Sequence, residues 1–205
     1  MGDIPGLEEL VRRCQRTLPD DTRAFETLVT LYKGRVYGIA YRLMGNQQEA
    51  EDQAQEVLLK VYRNIKTLDD PVTFPAWITR IATNTCLDAL TRRKRRPQTT
   101  PLTPAEADAP EEIRYADTRT PTPEEAALRH EVRRCLEKTL AEMEPGARAA
   151  IMLRDIEDRS YQEVAEILAI GLSAAKMRIH RARTAFQALL ERVCPGIARS
   201  GGATS

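Results

Sequence analysis

Apolar residues recur at three- and four-residue intervals along most of the chain, the spacing of one helical face, and nowhere alternate as a half-buried strand would. A first stripe, Leu7, Leu10, Val11, Cys14 and Leu18, lies in a helix expected from Ile4 to Leu18. Phe25, Leu28, Val29, Tyr32, Val36, Ala40 and Leu43 form a second stripe, which Gly45 and Asn46 interrupt. Asn46 and Glu49 have capping-box spacing. The helix after them puts Ala50, Ala54, Val57, Leu58, Val61 and Ile65 on one face and Glu51, Asp52, Gln55 and Glu56 on the other. Pro71 ends it. Thr73 is placed to cap a further helix, in which Phe74, Ile78, Ile81 and Leu87 lead into the basic run Arg92, Arg93, Lys94, Arg95 and Arg96.

A second helical group begins at Thr122-Pro123-Glu124-Glu125, which supplies a cap, a proline at the first helical position and a carboxylate at the third. Leu128, Val132, Leu136, Leu140 and Met143 are its apolar stripe, stopped by Pro145-Gly146. A short helix through Ile151 and Leu153 follows. Ser160-Tyr161-Gln162-Glu163 is another capping box, opening a helix with Val164, Ala165, Ile167 and Leu168. After the turn Ala169-Ile170-Gly171 comes a helix carrying Lys176, Arg178, Arg181 and Arg183.

From position 97 to the start of the second group at 123 fall Pro97, Pro101, Pro104, Pro110, Pro121 and Pro123, half of the twelve prolines in 205 residues. Their fixed φ and missing N–H groups keep this stretch out of helix or sheet interiors. The expected organisation is therefore all-α: a helical domain over 1–96, a Pro-rich acidic linker over 97–122, a second helical domain over 123–194 and a disordered tail over 195–205.

Charge changes this picture. The chain is nearly neutral at +1, but its successive blocks are not. Residues 71–97 and 176–205 each carry +5, 98–131 carry −5, and the remaining two blocks carry −2 each. Two compact basic segments suggest two separate contacts with a polyanion. No apolar run approaches the roughly 20 residues that cross a bilayer, and the first residues lack the basic and apolar regions of a signal peptide. A soluble, cytoplasmic protein is expected. Cys14, Cys86, Cys135 and Cys194 are too scattered for a zinc site or a disulfide framework, so four ordinary thiols are expected. With His130 and His180 the only histidines, neither metal, cofactor nor enzyme chemistry is indicated.

The last two helices read as a helix-turn-helix, with small Ala165 at the close approach and cations on the second helix to meet phosphates and base edges in a major groove. With that motif in place, nearly the whole chain resembles bacterial extracytoplasmic-function (ECF, group IV) RNA polymerase sigma factors. Phe25 to Arg96 looks like region two and Pro123 to Val193 like region four. The resemblance is carried by Ala50-Glu51-Asp52-Gln53-Ala54-Gln55-Glu56-Val57, by Phe74-Pro75-Ala76-Trp77-Ile78-Thr79-Arg80-Ile81-Ala82-Thr83-Asn84 with Asp88, and by Ser160-Tyr161-Gln162-Glu163-Val164-Ala165 leading to Lys176 through Arg183.

The resemblance implies three sites. Asp52, Gln55 and Glu56 would dock the clamp helices of the largest subunit of core RNA polymerase, and the sign of that face independently suits a basic protein partner rather than DNA. Asp70 and Thr73 in the loop 69–73, with Arg80, Asn84, Arg92 and Arg93, would melt and hold the minus-ten element, where amides and cations suit single-stranded bases and phosphates. Lys176, Met177, Arg178, His180 and Arg181 would read or grip the minus-thirty-five element. By the same resemblance, partners include promoter DNA, the polymerase β flap and an anti-sigma factor. Phe74 and Trp77 could stack on bases, but their helical spacing favours core packing. Gln53, Ala169, Gly171, Ser173 and Ala174 depart from the usual pattern, with Gly171 expected to supply the turn. The alternatives are a stand-alone helix-turn-helix regulator, which would normally need a dimer and a palindromic site, and a helical adaptor that binds only protein.

Overall fold

The computed structural model describes residues 5–95 and 122–200, and every regular element among them is helical. The chain divides into two compact units. One carries α1 (Leu7–Thr17), α2 (Arg23–Met44), α3 (Gln47–Asn64) and α4 (Phe74–Arg95), although residues 42–45 group with the second. The second carries α5 (Pro123–Glu142), α6 (Pro145–Ile151), α7 (Tyr161–Ile167), α8 (Leu172–Val193) and α9 (Pro195–Ser200). The expected linker lies outside the described residues except for Thr122, and so do Arg96 and residues 201–205 of the tail.

The core of the first unit is made of the side chains that the helical spacing singled out. Val11 and Cys14 of α1, Leu28, Tyr32 and Val36 of α2, Val57 and Val61 of α3, and Phe74, Ile78, Ala82 and Cys86 of α4 are all buried. Burying each large apolar group contributes roughly 1.5–3 kcal/mol. Tyr32 meets Phe74 edge-on at 5.1 Å between ring centroids. Phe74 is fully buried, as its spacing implied, whereas Trp77 is only half-buried. Two 3₁₀ turns, Ile65–Thr67 and Pro71–Thr73, connect α3 to α4, and α1 packs against both.

Local signals explain most helix starts. Asn46 accepts from the Glu49 N–H at 3.0 Å. Thr122 with Glu125 and Ser160 with Glu163 form reciprocal capping boxes. Thr73 is not the cap expected of it. Asp70 instead caps the 3₁₀ turn that leads into α4, its carboxylate accepting from the Val72 N–H at 3.0 Å, while the Thr73 hydroxyl donates to the Asp70 carbonyl at 2.7 Å. Pro71 at the first position of the turn favours this arrangement, because it needs no donor partner.

In the second unit α8 is central, contacted by α5, α6, α7 and α9. Its Ala175, Ile179 and Ala182 are buried, and Ala182 packs in one cluster with Leu140, Met143 and Ile151. The stripe expected on α5 is buried only at its C-terminal end, since Leu128 and Leu136 are exposed. A four-residue spacing drifts about 40° per step on a 3.6-residue helix, so Leu128 has rotated off the face that Leu140 presents. Residues Met152–Ile156 widen into a π-type turn after α6, with the Glu157 N–H reaching the Met152 carbonyl at 2.9 Å. Arg148 is buried and donates to the Met143 carbonyl at 3.0 Å, satisfying the end of α5; burial pushes its guanidinium down to about 10.

Three further expectations are corrected. Cys135 and Cys194 are joined in a disulfide, their Cα atoms 6.2 Å apart although 59 residues separate them. Packing of α5 along α8 brings them together, a relationship that local cysteine spacing does not contain. Residues 195–200 are helical rather than irregular, with Ile197 partly buried. The left-handed residue of the α7–α8 turn is Ala169, at φ 51°, whereas Gly171 sits at φ −66° as the cap of α8. The Ile170 N–H reaches Ala165 at 3.0 Å and the Ala169 N–H reaches Glu166 at 3.3 Å, the paired bonds of a Schellman ending.

Candidate nucleic-acid and protein interfaces

On α3, Asp52 and Gln55 are exposed and Glu56 half-buried, on the face opposite Ala50, Ala54, Val57 and Val61. Leu59, one turn beyond Gln55 and Glu56, is 48% exposed and adds an apolar group to this acidic and amide strip. Sequence reasoning missed Leu59, although its position off the buried stripe was a usable signal. Gln53 lies half-buried with its Oε1 enclosed and without a hydrogen-bond donor.

The second set converges on α4 and the turn before it. Arg80 is exposed and Asn84, one turn on, is half-buried, so the two share a helix face. Arg92 and Arg93 stand in the last turn of α4, where cations are favoured by the carbonyl end of the helix. Arg93 is partly committed: it meets Glu49 of α3 at 2.8 Å. Asp70 and Thr73 are exposed, but their side chains are bonded to the backbone of their own turn. They therefore shape the loop as well as lining it. The α3–α4 seam is bridged by Lys60, which donates to the buried Thr85 hydroxyl at 3.0 Å.

The third set lies on α8. Lys176, Met177, Arg178, His180 and Arg181 are all exposed, while Ala175, Ile179 and Ala182 on the opposite side are buried. Met177 and His180 share the outward strip with Ser173 and Thr184, at three- and four-residue spacing, with Lys176 to one side of it and Arg178 and Arg181 to the other. This places a soft apolar group and an imidazole at the centre and cations at the edges, the layout of a helix that touches bases centrally and phosphates laterally. Arg183 differs. Its Nε donates to Asp155 at 3.0 Å and a second hydrogen bond joins the same carboxylate, and that hydrogen bonding holds the guanidinium above its ordinary value. Arg183 thus pins α8 to the π-type turn.

Two family models match the chain in order: Sigma-70 region 2 over residues 28–96 and Sigma-70, region 4 over 133–186. The RNA polymerase sigma-H factor of Pseudomonas aeruginosa is 34% identical over 184 residues, covering 90% of this chain and 93% of that protein. The chain belongs to the extracytoplasmic-function family of RNA polymerase sigma factors. The ECF RNA polymerase sigma factor SigW of Bacillus subtilis is likewise 32% identical, covering 86% of this chain and 94% of its own. Among solved structures, the sigma factor RpoE in complex with the anti-sigma factor NepR from Bartonella quintana shares the fold, with a TM-score of 0.62 at 22% identity over 82% of this chain and 96% of that one. Among the described residues of this sigma factor no helix is long and apolar enough to cross a membrane.

Proposed function

We propose that this sigma factor binds core RNA polymerase through α3, with Asp52, Gln55 and Glu56 meeting the clamp helices of the largest subunit and Leu59 adding an apolar anchor. Arg80, Asn84, Arg92 and Arg93, beside the loop that holds Asp70 and Thr73, engage the melted minus-ten strand. Lys176, Met177, Arg178, His180 and Arg181 enter the major groove of the minus-thirty-five element. The polymerase fixes the spacing of the two DNA-binding sets, so that each raises the effective concentration of the other. The β flap meets the second unit. An anti-sigma protein that covered either set of exposed side chains would hold the chain inactive. The acidic linker would thread toward the active-site and RNA-exit channels, its carboxylates standing in for nucleic acid.

The observation that carries this reading is the sorting of charge by face. An acidic and amide strip on α3 repels DNA, whereas the exposed sides of α8 and the end of α4 attract it. A stand-alone regulator has no use for the first. The test is capture of core polymerase by the purified chain, followed by run-off transcription on a genomic fragment library. Core binding and discrete transcripts sharing two upstream elements are expected. A chain that ignores core polymerase but grips duplex DNA tightly and specifically by itself would be the stand-alone regulator instead.

A further inference from the structure

We propose that Cys135 and Cys194 form a reversible redox site, at which a small peroxide or a dithiol reductant closes or opens the staple between α5 and the end of α8. The inference rests on the sigma-factor reading only for the compartment. Transcription takes place in the reducing interior of a bacterium, where disulfides are usually transient and redox-sensing.

Position and access both fit. Cys135 is buried within α5, whereas Cys194, immediately after α8, is partly exposed. The pair lines a pocket of about 350 Å³, wide enough for a peroxide or the tip of a thiol reagent. Arg134 and Lys138 bring positive charge to it, with His130 beside them and Glu131 the one opposing carboxylate of the lining. A net positive pocket favours the anionic sulfur that performs thiol chemistry. The other two cysteines offer a contrast: Cys14 and Cys86 are buried and unpaired, and burial pushes their thiols up to about 11 and about 12.

Starting from the dithiol, the Cys194 sulfur attacks one oxygen of hydrogen peroxide. The O–O bond breaks, hydroxide leaves and is protonated to water, and Cys194 becomes a sulfenic acid. The Cys135 sulfur then attacks Cys194, the S–O bond breaks, and the second hydroxide leaves as water. Two thiols have lost two electrons and two protons to the peroxide. A dithiol reverses the step: one thiolate forms a mixed disulfide with Cys194, releasing Cys135, and the second resolves it.

The ring closed by the bond spans the rest of α5, α6, α7 and all of α8. Without it, the end of α8 is tied to α5 by packing and by the exposed Arg192–Glu142 ion pair, a weak restraint in water. Opening the staple therefore frees the last turns of α8 together with α9, at the far end of the helix whose first half carries Lys176 to Arg181.

The test uses the full chain, treated with hydrogen peroxide or with dithiothreitol, alkylated under denaturing conditions and mapped by mass spectrometry, with amide hydrogen exchange measured on both forms. After peroxide, only Cys14 and Cys86 are expected to alkylate; after dithiothreitol, all four, through repeated cycles. Amides of residues 189–197 are expected to exchange about ten-fold faster or more in the reduced form, and in a Cys135→Ser/Cys194→Ser variant under either treatment. Four alkylated cysteines after peroxide, a bond that dithiothreitol leaves intact in the folded chain, or equal exchange in the two forms would overturn the proposal. Run-off transcription by the double-serine variant is read in parallel. Transcription without redox cycling removes this site alone, whereas cycling without transcription in any state removes the sigma-factor reading and leaves the site.

Discussion

The side-chain amide of Gln15 donates to the carbonyl of Leu68 at 2.7 Å and to that of Ile65 at 3.0 Å. One residue of α1 thereby satisfies the backbone where the chain leaves α3 and turns toward Asp70 and Thr73. This ties the N-terminal helix to the loop proposed to line the minus-ten site. Gln15→Leu removes the donors while keeping the bulk, so the Leu68 carbonyl loses this donor and the Ile65 carbonyl keeps only the Leu68 N–H, at 3.3 Å. A loss of about 1–2 kcal/mol in unfolding free energy is expected from denaturant titration. Permanganate footprinting of the melted promoter should weaken more than core binding does; equal losses in both would mean that the loop does not depend on α1.

Gln53 shows the opposite case, a polar group without its partner. Its Oε1 is enclosed and unpaired within α3, the helix proposed to dock the polymerase. Replacing it by leucine exchanges an unsatisfied acceptor for a side chain of similar volume, which should stabilise the first unit by about 1 kcal/mol. Thermal unfolding checks this. A lower melting temperature would place an unseen donor at the amide.

Ala169 holds a left-handed backbone at the α7–α8 turn, which costs an L-residue roughly 1–2 kcal/mol and costs glycine almost nothing. Glycine also gives the unfolded chain more freedom, which takes back part of that gain. Ala169→Gly should therefore raise the stability of the second unit by about 0.5–1 kcal/mol. Gly171→Ala, at a φ open to any residue and with open space around its Cβ position, should do no harm. If Ala169→Gly lowers the stability of the second unit, or Gly171→Ala does, the turn does not have the shape described.

These cases separate what the sequence discloses from what it hides. The capping boxes at Thr122 and Ser160 were legible because each is complete within four residues. The stripes of α2 and α3 were legible because each helix buries one steady face. The exposure of Leu128 and Leu136 was hidden, because it depends on which part of α5 meets α8. So was the Cys135–Cys194 pair, made by elements 59 residues apart. The turn went wrong for a subtler reason: glycine is the expected left-handed residue, and here that conformation falls two residues earlier, on Ala169, where the bonds from the end of α7 require it.

The division of labour on α8 predicts two kinds of defect. Lys176 and Arg181 stand where they would meet phosphates, so replacing either by alanine should weaken promoter binding on every sequence. It should also lower the slope of log affinity against log salt by about 1 for each phosphate no longer neutralised. Met177 and His180, at the centre of the face, should change which minus-thirty-five sequence is preferred while leaving that slope unchanged. Holoenzyme binding across a salt series and a library of upstream elements separates the two. An equal salt slope for Arg181→Ala and the native chain would place that residue away from the phosphates.

Glu163 couples the helix-turn-helix to pH. Its partial burial alone would raise its pKa from the ordinary 4.5, but the backbone N–H of Ser160 and the side chain of Arg159, 2.9 Å away, outweigh burial and lower it. The folded state therefore favours the carboxylate more than the unfolded chain does. The resulting stability is present above the ordinary value and is lost as pH falls through the lower folded value. Glu163→Gln keeps an acceptor for the Ser160 N–H but removes the charge, so the variant should be less stable at pH 7, by about 1 kcal/mol, the scale of a lost cap interaction. The gap between variant and native chain should close as both are melted at successively lower pH, beginning below about 4.5. A gap that stays constant into strong acid would show that the loss comes from altered packing of the cap and not from the charge of Glu163.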